Sequence, residues 1–240
     1  MLLGFLIAGC PVRADENGSG RGIDQGVVGD TAALLEQGEL EITIGGSYED
    51  DSELETFELT VQIEYGVTDW LEVAVELPYQ FLYPRDPEDP EVDGTGDITV
   101  SASVALPMPE SLSASFTLGV VLPRGDEKKD LGDGVVIWEP SLAIDVPLGD
   151  CELVFDIGGE LGPDNEVFVY EVTIATETES ELVVSLGVQG CLDGDEQPVS
   201  IVPGFGFPIM EDVELGVEIP IGLNRETPDW QIVVEVTLEY

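Results

Sequence analysis

The sequence predicts an all-β chain folded as a single antiparallel transmembrane β-barrel of twelve strands. Three observations carry that expectation. Apolar and polar residues alternate with period 2 from residue 39 to the end, the connections alternate between short and long, and acidic residues crowd the polar parity while basic ones avoid it. Of 240 residues, 51 are Asp or Glu and 7 are Lys or Arg, a formal charge of −44 with no histidine, yet 43% are hydrophobic and mean hydropathy is +0.13. A charge this large ordinarily marks a chain too polar to bury a core. Here the apolar content is too high for that, so the two kinds of residue must be interleaved finely. No cationic patch exists to displace counterions from a nucleic-acid backbone. Without histidine, Ser-His-Asp and Cys-His catalysis and His-ligated metals are excluded.

Residues 1–14 read as a signal peptide. Met1 to Cys10 is almost wholly apolar, but it is short and lacks a basic flank, which fits a truncated leader. Two processing points are readable: Val12-Arg13-Ala14 before Asp15, and a lipobox-like Ile7-Ala8-Gly9-Cys10 that would be lipidated at Cys10. Residues 15–38 form an N-terminal segment that either stays periplasmic or plugs a lumen, and the barrel occupies 39–240. No later segment approaches the 18 apolar residues of a spanning helix. Cys151 and Cys191 fall at opposite ends of their strands and are expected to stay unpaired, although an exported protein would permit a disulfide.

Within the barrel, Phe57, Leu59, Val61, Ile63 and Tyr65 share one parity and Glu58, Thr60, Gln62 and Glu64 the other. Leu71, Val73, Val75, Leu77, Tyr79 and Phe81 then oppose Glu72, Ala74, Glu76, Pro78 and Gln80. Alternation at this length is a strand signal and not a helix face. Continued to the end it predicts strands near 39–49, 56–66, 71–82, 97–106, 112–123, 135–148, 151–161, 167–177, 181–190, 199–209, 213–223 and 230–240. The links at 67–70, 107–111, 149–150, 178–180 and 210–212 are short. Those at 50–55, 83–96, 124–134, 162–166, 191–198 and 224–229 are mostly longer and hold most of the Asp, Pro and Gly. An even strand count, with short turns at one end and long loops at the other, is the layout of an outer-membrane barrel.

Aromatic residues separate this from a soluble β-sandwich. Tyr48, Phe57, Tyr79, Phe81, Tyr83, Trp138, Phe168, Tyr170 and Trp230 fall near the long-loop ends of their strands. Tyr65, Phe205, Phe207 and Tyr240 fall near the short-turn ends, and all share the apolar parity. Two such belts are expected where strands meet lipid headgroups.

Asp30 to Tyr48 (DTAALLEQGELEITIGGSY), Tyr65 to Tyr79 (YGVTDWLEVAVELPY), Gly94 to Asp97 (GTGD) and the run to a terminal Tyr240 together resemble bacterial outer-membrane barrels of the MetA-pathway-of-phenol-degradation type. The resemblance spans residues 30–240. It implies an outer-membrane barrel of a Gram-negative-type bacterium with a transporter role, and it fixes no substrate. It also implies that Tyr240 is the aromatic signal read by the barrel-insertion machinery.

The polar parity places seventeen acids in the lumen: Glu39, Glu41, Glu58, Glu64, Glu72, Glu76, Glu139, Asp145, Glu152, Asp156, Glu160, Glu171, Glu177, Glu214, Glu218, Glu235 and Glu239. Arg13 and Arg21 precede the barrel, while Arg85, Arg124, Lys128, Lys129 and Arg225 fall on long connections. A dry core cannot hold so many carboxylates, so they must face water or cations. Rings of acids favour cations and repel anions. Acidic, lysine-poor surfaces also suit a saline habitat, where screening removes repulsion, and the two readings are compatible.

The loop Asp89-Pro-Glu91-Val-Asp93-Gly94-Thr-Gly-Asp97 starts like a calcium loop, but Val100 stands where its bidentate Glu belongs. A weak calcium site at Asp89, Glu91, Asp93 and Asp97 is weighed against a merely solvated loop. Glu49-Asp50-Asp51 and Asp193-Gly194-Asp195-Glu196 are similar candidates for loop-bound divalent cations. Gly204-Phe205-Gly206-Phe207 lies on a strand and is no phosphate loop. No catalytic residues and no cofactor are expected. The sequence therefore reads as a passive, cation-preferring diffusion channel whose partners are outer-membrane lipid, the insertion machinery and a small or ionic permeant, with no nucleic acid. The alternatives are a non-conducting barrel that binds divalent cations or partners, and a secreted β-sandwich lipoprotein.

Overall fold

The computed structural model describes residues 32–50, 54–86, 90–109, 111–163, 166–178, 180, 182–194, 197–210, 212–225 and 227–240. Both candidate processing points and Cys10 lie outside the described residues, as does Asp89. Among the described residues the strands are β1 (Leu40–Asp50), β2 (Leu54–Thr68), β3 (Leu71–Pro84), β4 (Val92–Thr95), β5 (Ile98–Ala105), β6 (Ser113–Leu122), β7 (Ile137–Leu148), β8 (Cys151–Leu161), β9 (Glu166–Glu177), β10 (Val183–Asp193), β11 (Val199–Met210), β12 (Val213–Glu218), β13 (Ile221–Gly222) and β14 (Trp230–Glu239). A single 3-10 turn at Glu127–Lys129 interrupts them.

Each strand pairs antiparallel with its neighbours, and β14 pairs with β1 from Glu41↔Glu239 to Asp50↔Trp230, which closes the sheet. The seam is finished by Leu40 and Tyr240, whose N–H groups donate to each other's carbonyls at 3.0 and 2.9 Å. β4 and β5 form one stave interrupted at Gly96-Asp97, and β12 and β13 form another interrupted at Ile219-Pro220. The result is a closed antiparallel barrel of twelve staves, as the periodicity predicts.

Prolines account for two of the local departures from a regular ladder, because they bring no N–H. Across Pro140 the β7–β8 pairing skips from Trp138↔Leu161 to Ser141↔Gly158. After Pro208 the β11–β12 register shifts before Met210. The predicted start of the fourth strand at 97 is corrected by the structure. Its stave reaches back through β4, which pairs with Tyr79 to Leu82 of β3, so part of the expected loop is strand.

Burial is inverted relative to a soluble protein. On β8, Asp156 is 2% exposed and its neighbour Ile157 is 44% exposed. The same alternation runs along β10, where Ser185 and Gln189 are buried and Leu186 and Val188 are exposed. A closed sheet with carboxylates inside and Leu, Ile and Val outside has only one compatible solvent for its outer wall, which is hydrocarbon. No helix among the described residues is long and apolar enough to cross a membrane, so any crossing is made by strands.

The cysteines depart from expectation in one respect. Cys151 is a free, half-buried thiol. Cys191 is fully buried and disulfide-bonded, so the expectation of an unpaired thiol fails there.

A charge on the outer wall tests the inverted pattern. Leu186→Arg is expected to cost about 2–4 kcal/mol in denaturant unfolding from lipid vesicles, the range for a cationic residue facing the bilayer midplane. Ser185→Asn, one residue away on the inner face, is expected to cost far less in the same measurement.

Candidate functional site

The interior of the barrel is the candidate site, and period 2 positions every side chain in it. Glu58 and Glu64 on β2, Glu72 and Glu76 on β3, Glu139 and Asp145 on β7, Asp156 on β8, Glu171 on β9, Glu214 and Glu218 on β12 and Glu235 on β14 are all buried on the inner face. Glu160, another acid of the expected set, is half-buried near the long-loop end of β8, opposite Val167. No Lys or Arg lies on any of the barrel strands.

Ladder register groups these acids. Glu41 faces Glu64 on one side and Glu239 on the other, forming a cluster near the short-turn end. Asp156 faces Glu171 directly, and Glu171 faces Gln189. Like charges opposed across a ladder repel, and the repulsion is weakened only where neighbours or solvent absorb it. Some neighbours do. Gln80 Nε2 donates to Glu58 Oε2 at 2.8 Å, Thr60 Oγ1 donates to Glu58 Oε1 at 3.2 Å, and the Thr173 hydroxyl donates to Glu171 Oε1.

Both ends of the lumen are narrowed by backbone. At the short-turn end, residues 32–38 cross the inner face. The Ala32 N–H donates to Asp145 Oδ2 at 2.9 Å, the Leu35 N–H to Glu72 Oε2 at 2.9 Å, and the Gly38 N–H to the Gly66 carbonyl at 2.8 Å. Glu36 lies so close over Gly66 that a Cβ there would collide with its carbonyl, which explains a glycine in mid-pattern. At the long-loop end, the β6–β7 connection folds inward. Asp97 is 1% exposed and accepts the N–H groups of Arg124 (2.7 Å), Gly125 (2.7 Å) and Asp133 (2.9 Å). Leu131 of the same loop is buried against Gly94, and Gly132 leaves no room for a Cβ beside Asp97.

Asp97 thus organises a loop through backbone donors. Asp93 accepts the Tyr79 hydroxyl at 2.6 Å, and Glu91 is exposed. Among the described residues no group of three acids converges to hold a metal ion. At the rim, Arg85 bridges Asp50 and Glu55, the latter at 3.4 Å.

The aromatics lie on the outer wall as the parity requires. Tyr48 packs on Trp230 with ring centroids 5.7 Å apart, Phe57 on Phe81 at 5.7 Å, and Tyr79 on Phe81 at 5.1 Å. Phe168 and Tyr170 form another pair at 6.5 Å, and Trp138 is exposed at the same end. Tyr65 and Phe207 are exposed near the other end, together with Trp70 in the short turn after β2. Trp70 is missing from the expected belts because it lies between strands, where alternation says nothing. Its signal was its place in a short turn, at the level of the headgroups.

No family model matches the sequence, and no curated protein sequence matches it. Solved structures do. The COG4313 outer membrane channel from Pseudomonas putida F1 superposes with a TM-score of 0.74 at 10% identity, over 87% of this chain and 98% of that one. The fold is that of an outer-membrane β-barrel. The KdgM porin follows with a TM-score of 0.57 at 9% identity, over 82% and 98% of the two chains. The NanC porin gives 0.58 at 7% identity, over 83% and 98%.

The Asp97 contact makes a specific prediction. Asp97→Ala removes a charged acceptor from three amides, each such bond being worth about 1.5–3 kcal/mol. Amide hydrogen exchange at Gly125 and Asp133 is expected to accelerate about tenfold or more, with the β5 and β6 strand amides unchanged.

Proposed function

We propose that this chain is an outer-membrane channel for passive diffusion of small solutes, with a preference for cations. The observation that carries the reading is the carboxylate-lined inner face of a closed barrel whose strands bear no Lys or Arg. Fixed negative charge along a confined path raises the local cation concentration and repels anions, more strongly where protein walls exclude high-dielectric water. The likeness of the fold to channel and porin barrels supports conduction, and the resemblance of residues 30–240 to MetA-pathway barrels supports the same class without naming a permeant. Lipid contacts the outer wall, and the resemblance to MetA-pathway barrels supports Tyr240, which is exposed beside the seam, as the signal read by the insertion machinery.

A twelve-strand lumen lies between the eight-strand barrels that side chains fill and the sixteen-strand porins that stay open. The strap at 32–38 and the inward loop at 124–134 narrow this one further and favour a second reading, a barrel that is closed at rest. Planar-bilayer recording of the purified protein under a KCl gradient separates the two. Discrete steps whose reversal potential approaches the potassium equilibrium potential are expected. Replacing Glu58, Glu64, Glu72 and Glu76 together by Gln is expected to move that potential toward zero. Unselective steps in the unmodified protein would assign the acidity to salt adaptation. Silence from protein shown to be inserted would establish the closed barrel.

A further inference from the structure

We propose that residues 32–38 are a releasable gate on the short-turn mouth of the lumen, in which an arm (32–35) swings on a fixed turn (36–39) and is latched by the carboxylates of Glu72 and Asp145. The inference rests on the channel reading, to which it adds a means of regulation, and its test reads the arm and the current separately.

The turn is tied to the rim of the barrel. The Gly38 N–H donates to the Gly66 carbonyl at 2.8 Å, and the Gly66 N–H to the Glu39 carbonyl at 3.0 Å. The Gln37 N–H donates to Asp69 Oδ1 and its side-chain amide to the Val67 carbonyl, both at 3.3 Å. The turn also closes on itself. The Glu39 N–H donates to the Glu36 carbonyl at 3.1 Å, and the Glu36 N–H to Glu39 Oε2 at 2.8 Å. Its pivot is Gly38, at φ +93° with open space where a Cβ would stand, a conformation that glycine adopts without steric cost. None of these bonds involves residues 32–35.

The arm is held differently. The Leu35 N–H donates to Glu72 Oε2 on β3 and the Ala32 N–H to Asp145 Oδ2 on β7, both at 2.9 Å. β5 and β6 lie between β3 and β7, so the arm passes in front of two staves between its latches. Those two strands carry no acid. At this level they present small side chains: Ser103 faces Glu72, Ser113 faces Asp145, and Ala105 faces Ser115 between them. Bulk and charge are withheld where the arm lies, and charge is supplied at its two ends. A bond from an amide to a carboxylate is stronger than one to a neutral oxygen. Yet each latch is a contact to a side chain, which can be exchanged for water or a cation while the barrel ladder stays intact. A fixed turn, a glycine pivot and an arm held by exchangeable contacts are the parts of a gate.

The test combines amide hydrogen exchange with planar-bilayer recording of the full chain. It compares the unmodified protein with the double variant Glu72→Gln/Asp145→Asn and with Gly66→Ala, whose added Cβ would collide with the Glu36 carbonyl. Exchange at Ala32 and Leu35 is expected to accelerate at least tenfold in both variants, with the β5 and β6 amides unchanged. Single-channel conductance in KCl is expected to rise at least twofold in both. Neutralising two lumen acids would by itself lower a cation current, so a rise reads the movement of the arm. Heat-modifiable gel mobility confirms folding, and Gly66→Ala carries the test alone should the double variant not fold. Unchanged exchange at Ala32 and Leu35 in the folded variants would overturn the latch. Faster exchange with unchanged or lower conductance would overturn the gate and keep the channel. Silence both from the unmodified protein and from a variant whose arm exchanges freely would overturn the channel reading, and the gate with it. Silent unmodified protein that conducts once the arm is released would support both.

Discussion

The structure rests on the obligation of backbone N–H and C=O groups to find partners where no water can supply them. In hydrocarbon an unpaired peptide group costs several kcal/mol, so a spanning sheet must have no edges. The pairing of β1 with β14 meets that condition, and the Leu40–Tyr240 exchange extends it to the last residue. Once the sheet is closed, its two faces acquire different solvents. Leu186 and Ile157 then belong outside, and Ser185 and Asp156 inside, for the same reason that a soluble protein does the opposite.

The interior inherits a second problem from the first. With apolar residues committed to the outer wall, the inner face is left to Ser, Thr, Gln, Asp and Glu, and the strands bring no base to balance the acids. Neutral donors absorb part of the charge: Gln80 and Thr60 at Glu58, Thr173 at Glu171. Backbone absorbs more. Asp145 and Glu72 take amides of the 32–38 strap, and Asp97 takes three amides of the β6–β7 connection. The acids therefore both line the lumen and recruit the chain segments that narrow it. The charge and the aperture of the lumen are set by the same side chains.

Much of this was legible from alternation alone. Strand number, direction, closure and the inward acids follow from period 2 and from the sequence of short and long connections, because a one-residue register choice decides the face of every side chain. What alternation does not encode is what happens between strands. Asp97 reads as a calcium ligand by its spacing from Asp93 and Glu91, but its carboxylate is turned to backbone amides 27 to 36 residues away. Trp70 sits in a turn and escapes a parity argument. The split at Ile219-Pro220 depends on where a proline interrupts a ladder, and the extension through β4 on its pairing with β3, both of which require knowing the partner strand.

The β1–β14 seam has a consequence for how such a chain is made. Its pairs join residues as far apart as Glu41 and Glu239, so the bonds that remove the last two edges cannot form until the final strand has been delivered. Every earlier stage exposes a sheet margin able to recruit another molecule. A formal charge of −44 then acts before the barrel exists, by holding unfinished chains apart through mutual repulsion during their passage through water. The acidity that lines the finished lumen is also, at that stage, a solubilising device.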